Sequence, residues 1–299
     1  MKITLTGGTG FIGSYVVEQL AGEGHELTLL ARDPGKVSGQ QGRDGIRFVR
    51  GSNSDRPAAR LALVGADALI HIARAKATGA SDALLADTLP ALELFEDAID
   101  AGVHQIIYTS SIAVFDDRGE DQFTDASPQR PINVYGATKA AAEAYLLGMS
   151  VGQPVRVNAV RPGYTFGNPV VEGAPTQSMA DLPTIARASA SGDDIRVEKN
   201  AGLQFMWAGD LARVYSAVLA ADVNRGYYTS LSPEFYTWEQ VAGWANEVTG
   251  SSSRIVVEDT GRPARKPPWS VAAIERDFGL RFNAETRLRE HLAYLAARV

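Results

Sequence analysis

The chain has 299 residues, 45% of them hydrophobic and 21% charged, values that exclude a fibrous or disordered polymer and exceed one average domain. Lys and Arg number 29 against 35 Asp and Glu, a net charge of −6, so the overall field repels nucleic-acid backbones and anionic membranes. The absence of Cys excludes disulfides, thiolate metal sites and cysteine nucleophiles, and the four His show no i, i+4 pair, so no metal is expected.

Strand-length apolar runs at Ile3–Thr6, Leu27–Ala31, Ile46–Arg50, Ala68–Ile72, Gln105–Thr109 and Val155–Val160 alternate with helical patterns at Phe11–Ala21, Arg56–Leu63, Asp82–Ala101 and Asn133–Met149. This βαβ rhythm predicts a doubly wound parallel sheet of six strands. After Arg161-Pro162-Gly163 the rhythm breaks. Helices near Leu182–Ala190, Gly209–Ala221, Trp238–Thr249, Val271–Phe278 and Thr286–Ala297 have only short strands between them. The expectation is a first unit over residues 1–165 and a smaller mixed lobe over 166–299, from which some helices return to the first unit. No apolar run approaches the ~18 residues of a spanning helix. The turn signal at Gly7 leaves no room for an export signal, so a cytoplasmic location is expected.

The segment Thr6-Gly7-Gly8-Thr9-Gly10-Phe11-Ile12-Gly13 follows the first strand and opens the first helix. It satisfies two glycine registers, 7-10-13 and 8-10-13. Either lets backbone N–H groups approach a pyrophosphate at a helix N-terminus, the signature of dinucleotide binding. The end of the second strand selects the dinucleotide. An NAD site places a carboxylate there for the ribose hydroxyl, whereas this chain has Ala31-Arg32-Asp33. Arg32 suits the extra phosphate of NADP, with Lys36 near it, and Asp33 is read as a turn residue before Pro34. NADP is expected, with NAD as the alternative.

Tyr135 and Lys139 stand at i and i+4 near the start of a helix and share a face. An ammonium one turn from a phenol stabilises the phenolate and lowers a pKa that starts near ~10. Upstream, Ile106-Ile107-Tyr108-Thr109-Ser110-Ser111 is a buried strand ending in hydroxyls, at the sheet end where such folds hold ligands.

With these segments in this order, the chain resembles the extended short-chain dehydrogenases/reductases, the NAD-dependent epimerase/dehydratase family. The likeness runs through Thr6–Gly13, Ile70-His71-Ile72-Ala73, Thr109–Phe115, Pro131–Lys139 and Arg161-Pro162-Gly163. The resemblance implies a Rossmann dinucleotide-binding domain and a substrate lobe, with Ser111, Tyr135 and Lys139 as the catalytic triad. It further implies cofactor contacts from Gly7, Thr9, Gly10, Phe11, Ile12, Gly13, Arg32, Asn53, Ala73, Arg74, Thr109, Tyr135, Lys139 and Pro162. A homodimer through the two long helices, 82–101 and 133–149, is also implied.

Four departures shape the expected function. Asn53 stands where the family has a carboxylate for adenine, Arg74 replaces a small residue beside the nicotinamide and pyrophosphate region, and Asp87 replaces a frequent Asn. Leu203 takes the place of an arginine that nucleotide-sugar enzymes commonly show. The leading expectation is therefore an NAD(P)-dependent oxidoreductase, preferring NADP, that acts on a small-molecule carbonyl or secondary alcohol. The alternatives are a nucleotide-sugar epimerase or dehydratase and, from another class, an NADP-sensing regulator without catalysis. Tyr164, Phe166, Met206 and Trp207 are read either as an aromatic substrate cleft or as core, and His71 as a packing and hydrogen-bonding residue.

Overall fold

The computed structural model of the protein describes residues 1–116 and 122–299. Strands β1 (Lys2–Thr6), β2 (Glu26–Ala31), β3 (Ile46–Arg50), β4 (Ala68–His71), β5 (Gln105–Thr109) and β6 (Arg156–Pro162) form the expected parallel series. A seventh strand, later in the chain, pairs in parallel with β6 through Tyr227–Ser230. The sheet therefore has seven strands, and the expectation of six is corrected. Spatially the order is β3-β2-β1-β4-β5-β6 and then Tyr227–Ser230, with the reversal in order between β1 and β4, the place at which sheets of this kind hold ligands.

Successive side chains of a strand point to opposite faces, and two cores follow from it. Leu5, Leu27, Leu29, Ile70, Ile107 and Val160 meet Val16, Val17 and Leu20 of helix α1 (Phe11–Gly22) on one face. Leu30, Val49, Leu69, Ile106 and Tyr108 meet α2 (Arg56–Leu63), α4 (Leu89–Asp100) and α5 (Val134–Met149) on the other. Caps set the helix starts: Asp55 Oδ1 accepts from Ala58 N–H at 3.2 Å for α2, and Asn133 Oδ1 accepts from Gly136 N–H at 2.8 Å for α5.

The predicted helix over 82–101 is interrupted. A short helix α3 (Ala80–Ala83) passes into a π turn at Leu84–Thr88 before α4 begins. Such turns add a residue to the helical repeat and recur at functional sites.

Beyond β6 lie β7 (Tyr164–Phe166), α6 (Asp181–Ser191), β8 (Ile195–Glu198), β9 (Gly202–Leu203), β10 (Phe205–Trp207) and α7 (Ala208–Ala220). They are followed by β11 (Tyr227–Ser230, the seventh sheet strand), β12 (Tyr236–Thr237), α8 (Trp238–Thr249), β13 (Ile255–Glu258), α9 (Ala272–Phe278) and α10 (Glu285–Ala296). Three two-stranded pairs, β7 with β10, β9 with β12 and β8 with β13, and the helices α6, α8 and α10 surround a third core that includes Phe166, Leu182, Phe205, Trp238 and Leu288. Helix α7 belongs instead to the first core: Leu211, Val214, Tyr215 and Val218 pack on the sheet face that α1 also covers. No helix among the described residues is long and apolar enough to cross a membrane.

Candidate active site

The phosphate loop resolves the two glycine registers. Gly7 has φ +76°, and a Cβ there would meet Ala73 N at 2.6 Å. A Cβ on Gly13 would stand 2.0 Å from Gly7 O, and one on Gly10 would stand 3.0 Å from it. Gly7, Gly10 and Gly13 are thus the geometric set. Gly8 is crowded only by the side chains of Leu5, Val17 and Leu29. Gly10 caps α1 with extended backbone and no side-chain cap, so the first amides of the helix, including those of Phe11 and Ile12, have no intrahelical acceptor. The turn requires glycine at these three positions, and its shape fits a dinucleotide pyrophosphate. Thr9 is partly exposed within it.

Strand β2 stops at Ala31, as the sequence predicts. Arg32 is exposed, and Asp33 turns back to accept from Gly35 N–H at 3.1 Å as the cap of a 3-10 turn. The carboxylate is occupied by its own turn, while the guanidinium is open to solvent. Asn53 lies partly exposed in the loop after β3.

Of the three residues expected as a triad, Ser111 follows the carboxyl end of β5, and Tyr135 and Lys139 lie on α5. Ser111 opens a 3-10 turn at Ile112–Val114, and its Oγ accepts from Ala113 N–H at 3.2 Å. That bond leaves the hydroxyl proton to be donated elsewhere. Its neighbour Ser110 is buried, and its Oγ has no hydrogen-bond partner among the described residues. Helix α5 lies against this turn because Gly136 allows it. A Cβ at that position would fall 2.0 Å from Ala113 O. The sequence pattern Tyr-Gly-Ala-Thr-Lys contains this glycine but does not reveal what it touches.

Tyr135 is partly exposed, whereas Lys139, one turn on, is buried with its Nζ 5.9 Å from the Tyr135 ring centroid and 5.0 Å from that of Tyr108. Burial lowers the Lys139 ammonium pKa to about 8; Asp87 and Glu143 pull it back up, and Arg74 pushes it down. Asp87 is brought inward by the π turn and is itself buried, accepting from Ala75 N–H at 2.8 Å. Arg74 also reaches the phenol, its guanidinium carbon 4.2 Å from the Tyr135 ring centroid. Asp87 and Arg74 were visible in the sequence only as substitutions; their link to Lys139 and Tyr135 comes from the fold.

The remaining expected residues are less uniform. Thr109 Oγ1 is 2.6 Å from Tyr215 Oη, so that hydroxyl is engaged within the core. Pro162 ends β6 beside Ser230, and Ala73 donates its N–H to Thr6 Oγ1 at 3.2 Å. Phe166 and Met206 are fully buried, which assigns them to the core and corrects the cleft reading for this pair. Tyr164 and Trp207 are only partly buried, and Arg287 stacks on Trp207 at 4.1 Å. No group of three or more His, Asp or Glu arranged to hold a metal occurs among the described residues.

Comparison with known proteins places the chain. It is 33% identical over 174 residues to a UDP-glucose 4-epimerase of Neisseria meningitidis, covering 51% of this chain and 49% of that protein. The chain thus spans about half the length of the first curated relatives it matches. A UDP-glucose 4-epimerase of Corynebacterium glutamicum is 23% identical over 92% of this chain and 88% of its own. Among solved structures, the UDP-N-acetylglucosamine 4-epimerase of Bacillus cereus superposes with a TM-score of 0.80 at 19% identity, over 100% of this chain and 97% of that one. The dTDP-glucose 4,6-dehydratase of Streptomyces venezuelae, solved with NAD, gives 0.79 at 22%, over 100% and 97%. With the family model matching residues 3–228, the chain belongs to the NAD dependent epimerase/dehydratase family.

Proposed function

We propose that the protein is a nicotinamide-dependent oxidoreductase that interconverts a carbonyl and a secondary alcohol, taking NADP(H) in preference to NAD(H). The observation that carries this reading is the buried Lys139 ammonium 5.9 Å from the ring of the more accessible Tyr135. In the reducing direction the Tyr135 hydroxyl gives its proton to the substrate oxygen, and Lys139 stabilises the phenolate left behind. Ser111 donates its hydroxyl proton to the same oxygen and fixes its position. The bound nicotinamide supplies or accepts the hydride. Gly7, Gly10 and Gly13, with the amides of Phe11 and Ile12, would hold the pyrophosphate, and Lys139 the nicotinamide ribose. Arg32, exposed beside a carboxylate already committed to Gly35, supports recognition of a 2′-phosphate. Residues 1–165 supply mainly the cofactor site and 166–299 mainly the substrate site of a cytoplasmic homodimer.

The names of the relatives favour a second reading, a nucleotide-sugar epimerase or dehydratase that oxidises and re-reduces one substrate on a retained NAD. Mass spectrometry of the nucleotide that co-purifies separates the two. Exchangeable NADP and net NADPH consumption with carbonyl compounds support the first. Retained NAD and conversion of UDP-sugars without net redox change support the second. In both, Tyr135→Phe should lower turnover by ~10²–10⁴ with cofactor binding little changed, and near-native turnover would remove Tyr135 from the mechanism.

A further inference from the structure

Arg74 is the side chain at this site that the proposed chemistry does not use. Its backbone is fixed from both sides, since Ala73 N–H donates to Thr6 Oγ1 at 3.2 Å and Ala75 N–H donates to Asp87 Oδ1 at 2.8 Å. The Ala73 amide forms part of the wall against which Gly7 is packed. The Arg74 side chain ends over the Tyr135 ring, its guanidinium carbon 4.2 Å from the ring centroid.

An arginine stacked on an aromatic face keeps its in-plane N–H donors free, in a fork that matches a carboxylate or phosphate. Arg74 is exposed and makes no ion pair among the described residues. The nearby carboxylates are already committed. Asp87 accepts from Ala75 N–H and acts on Lys139, and Glu143 is paired with Arg161 at 2.7 Å. Two cations, Arg74 and Lys139, thus stand at the Tyr135 ring, and no carboxylate among the described residues is ion-paired with Arg74.

We infer that Arg74 recognises an anionic group on the substrate, a carboxylate or phosphate adjacent to the carbon that Tyr135 serves, and so selects acidic carbonyl compounds or their alcohols. The inference rests on the reading of Tyr135 as the acid/base. The cofactor pyrophosphate is the other anion within the site. It is expected at Gly7–Gly13, where the backbone amides converge, whereas the guanidinium lies on the phenol.

The test uses the NADP⁺-saturated protein and two probes, benzoylformate and its methyl ester, which share a ketone and a ring and differ in charge. Ligand-observed NMR titration should show benzoylformate bound at least tenfold more tightly than the ester by the wild type. Arg74→Gln should bring the ratio within twofold, and Arg74→Lys should keep most of it. No preference in the wild type, binding of neither probe, or a preference that survives Arg74→Gln overturns the inference. A tenfold loss of NADP⁺ affinity in Arg74→Gln would assign the side chain to the pyrophosphate and overturn it equally. Tyr135→Phe, which keeps the ring, should keep the charge preference. Retained turnover in that variant with the preference intact overturns only the acid/base reading, and lost turnover without a preference overturns only the role of Arg74.

Discussion

Thr6 Oγ1 and His71 Nδ1 stand 2.6 Å apart at the paired carboxyl ends of β1 and β4. The same hydroxyl accepts from Ala73 N–H, so one threonine ties the last residue before the phosphate loop to the segment that carries Arg74. His71 is fully buried, stacked on Tyr108 with ring centroids 5.8 Å apart, and burial and the Lys139 charge lower its pKa to about 3. It is neutral in the folded protein.

The first prediction concerns acid stability. Above pH 6.5 His71 is neutral folded or unfolded. Below it the unfolded chain binds a proton that the native state refuses, so stability falls as the pH drops from 6.5 towards 3. His71→Asn removes this share, which amounts to roughly 3–5 kcal/mol across the window at about 1.4 kcal/mol per pH unit. Urea denaturation at pH 7 and pH 4 should show a smaller loss in the variant than in the wild type. Equal losses would mean that His71 takes up its proton without unfolding.

Gly136→Ala places a methyl group against Ala113 O. Both partners are fixed backbone, so α5 must shift, at a cost of about 1–3 kcal/mol for overpacking. The shift moves Tyr135 and Lys139 together relative to Ser111, and turnover should fall by ~10² or more through misplacement alone. Chemical denaturation and kcat measured on one preparation check both effects.

Arg32→Ala should weaken NADP(H) binding by about 1.5–3 kcal/mol, the range for a hydrogen bond to a charged group, and leave NAD(H) binding nearly unchanged. Asp33→Ser should not invert the preference, because Asp33 is engaged with Gly35. Dissociation constants for both dinucleotides on the wild type and the two variants decide the matter, and a wild-type NAD preference retained in Arg32→Ala would refute the NADP assignment.

Leu84, Leu85 and Leu89 are 54%, 63% and 42% exposed on the π turn and the start of α4, and Val134 and Tyr145 are exposed on adjoining α5. Apolar side chains of this size on two packed helices suit burial against a second copy. Sedimentation at micromolar concentration should show a species of twice the chain mass, and Leu85→Asp with Tyr145→Ser should shift it to the monomer. A wild type that is monomeric throughout would rule out the homodimer.

The sequence was most informative where a pattern and a stop signal coincided. Ile46–Arg50, Arg56–Leu63 and Gln105–Thr109 have the expected bounds because apolar periodicity ends at Gly51, Val64-Gly65 and Ser110-Ser111. The order of glycine loop, serine strand and Tyr-x-x-x-Lys helix was sufficient to identify the family. Strand β11 was not legible, because Tyr227–Ser230 lacks alternation and becomes a strand only by pairing with β6. The π turn was hidden as well, since one extra residue in a helical repeat changes no residue type. The choice between Gly7 and Gly8, and the facing of Gly136 to Ala113, depend on distances between segments remote in sequence. The core positions of Phe166 and Met206 depend on the mutual packing of β7 and β10 with the helices around them.

The late arrival of β11 also constrains how the molecule comes off the ribosome. With β11 absent, β6 is an unpaired edge, and α7, which covers the α1 face of the sheet, has also to be made before that apolar surface closes. The candidate-site residues up to Lys139 are synthesised well before either element, so the nascent chain carries most of the candidate site on a sheet that is still open. Folding that waits for contacts so distant in sequence is slow, and the open edge invites mispairing. A chain stalled before residue 208 should therefore remain chaperone-bound, and one released after residue 230 should become protease-resistant.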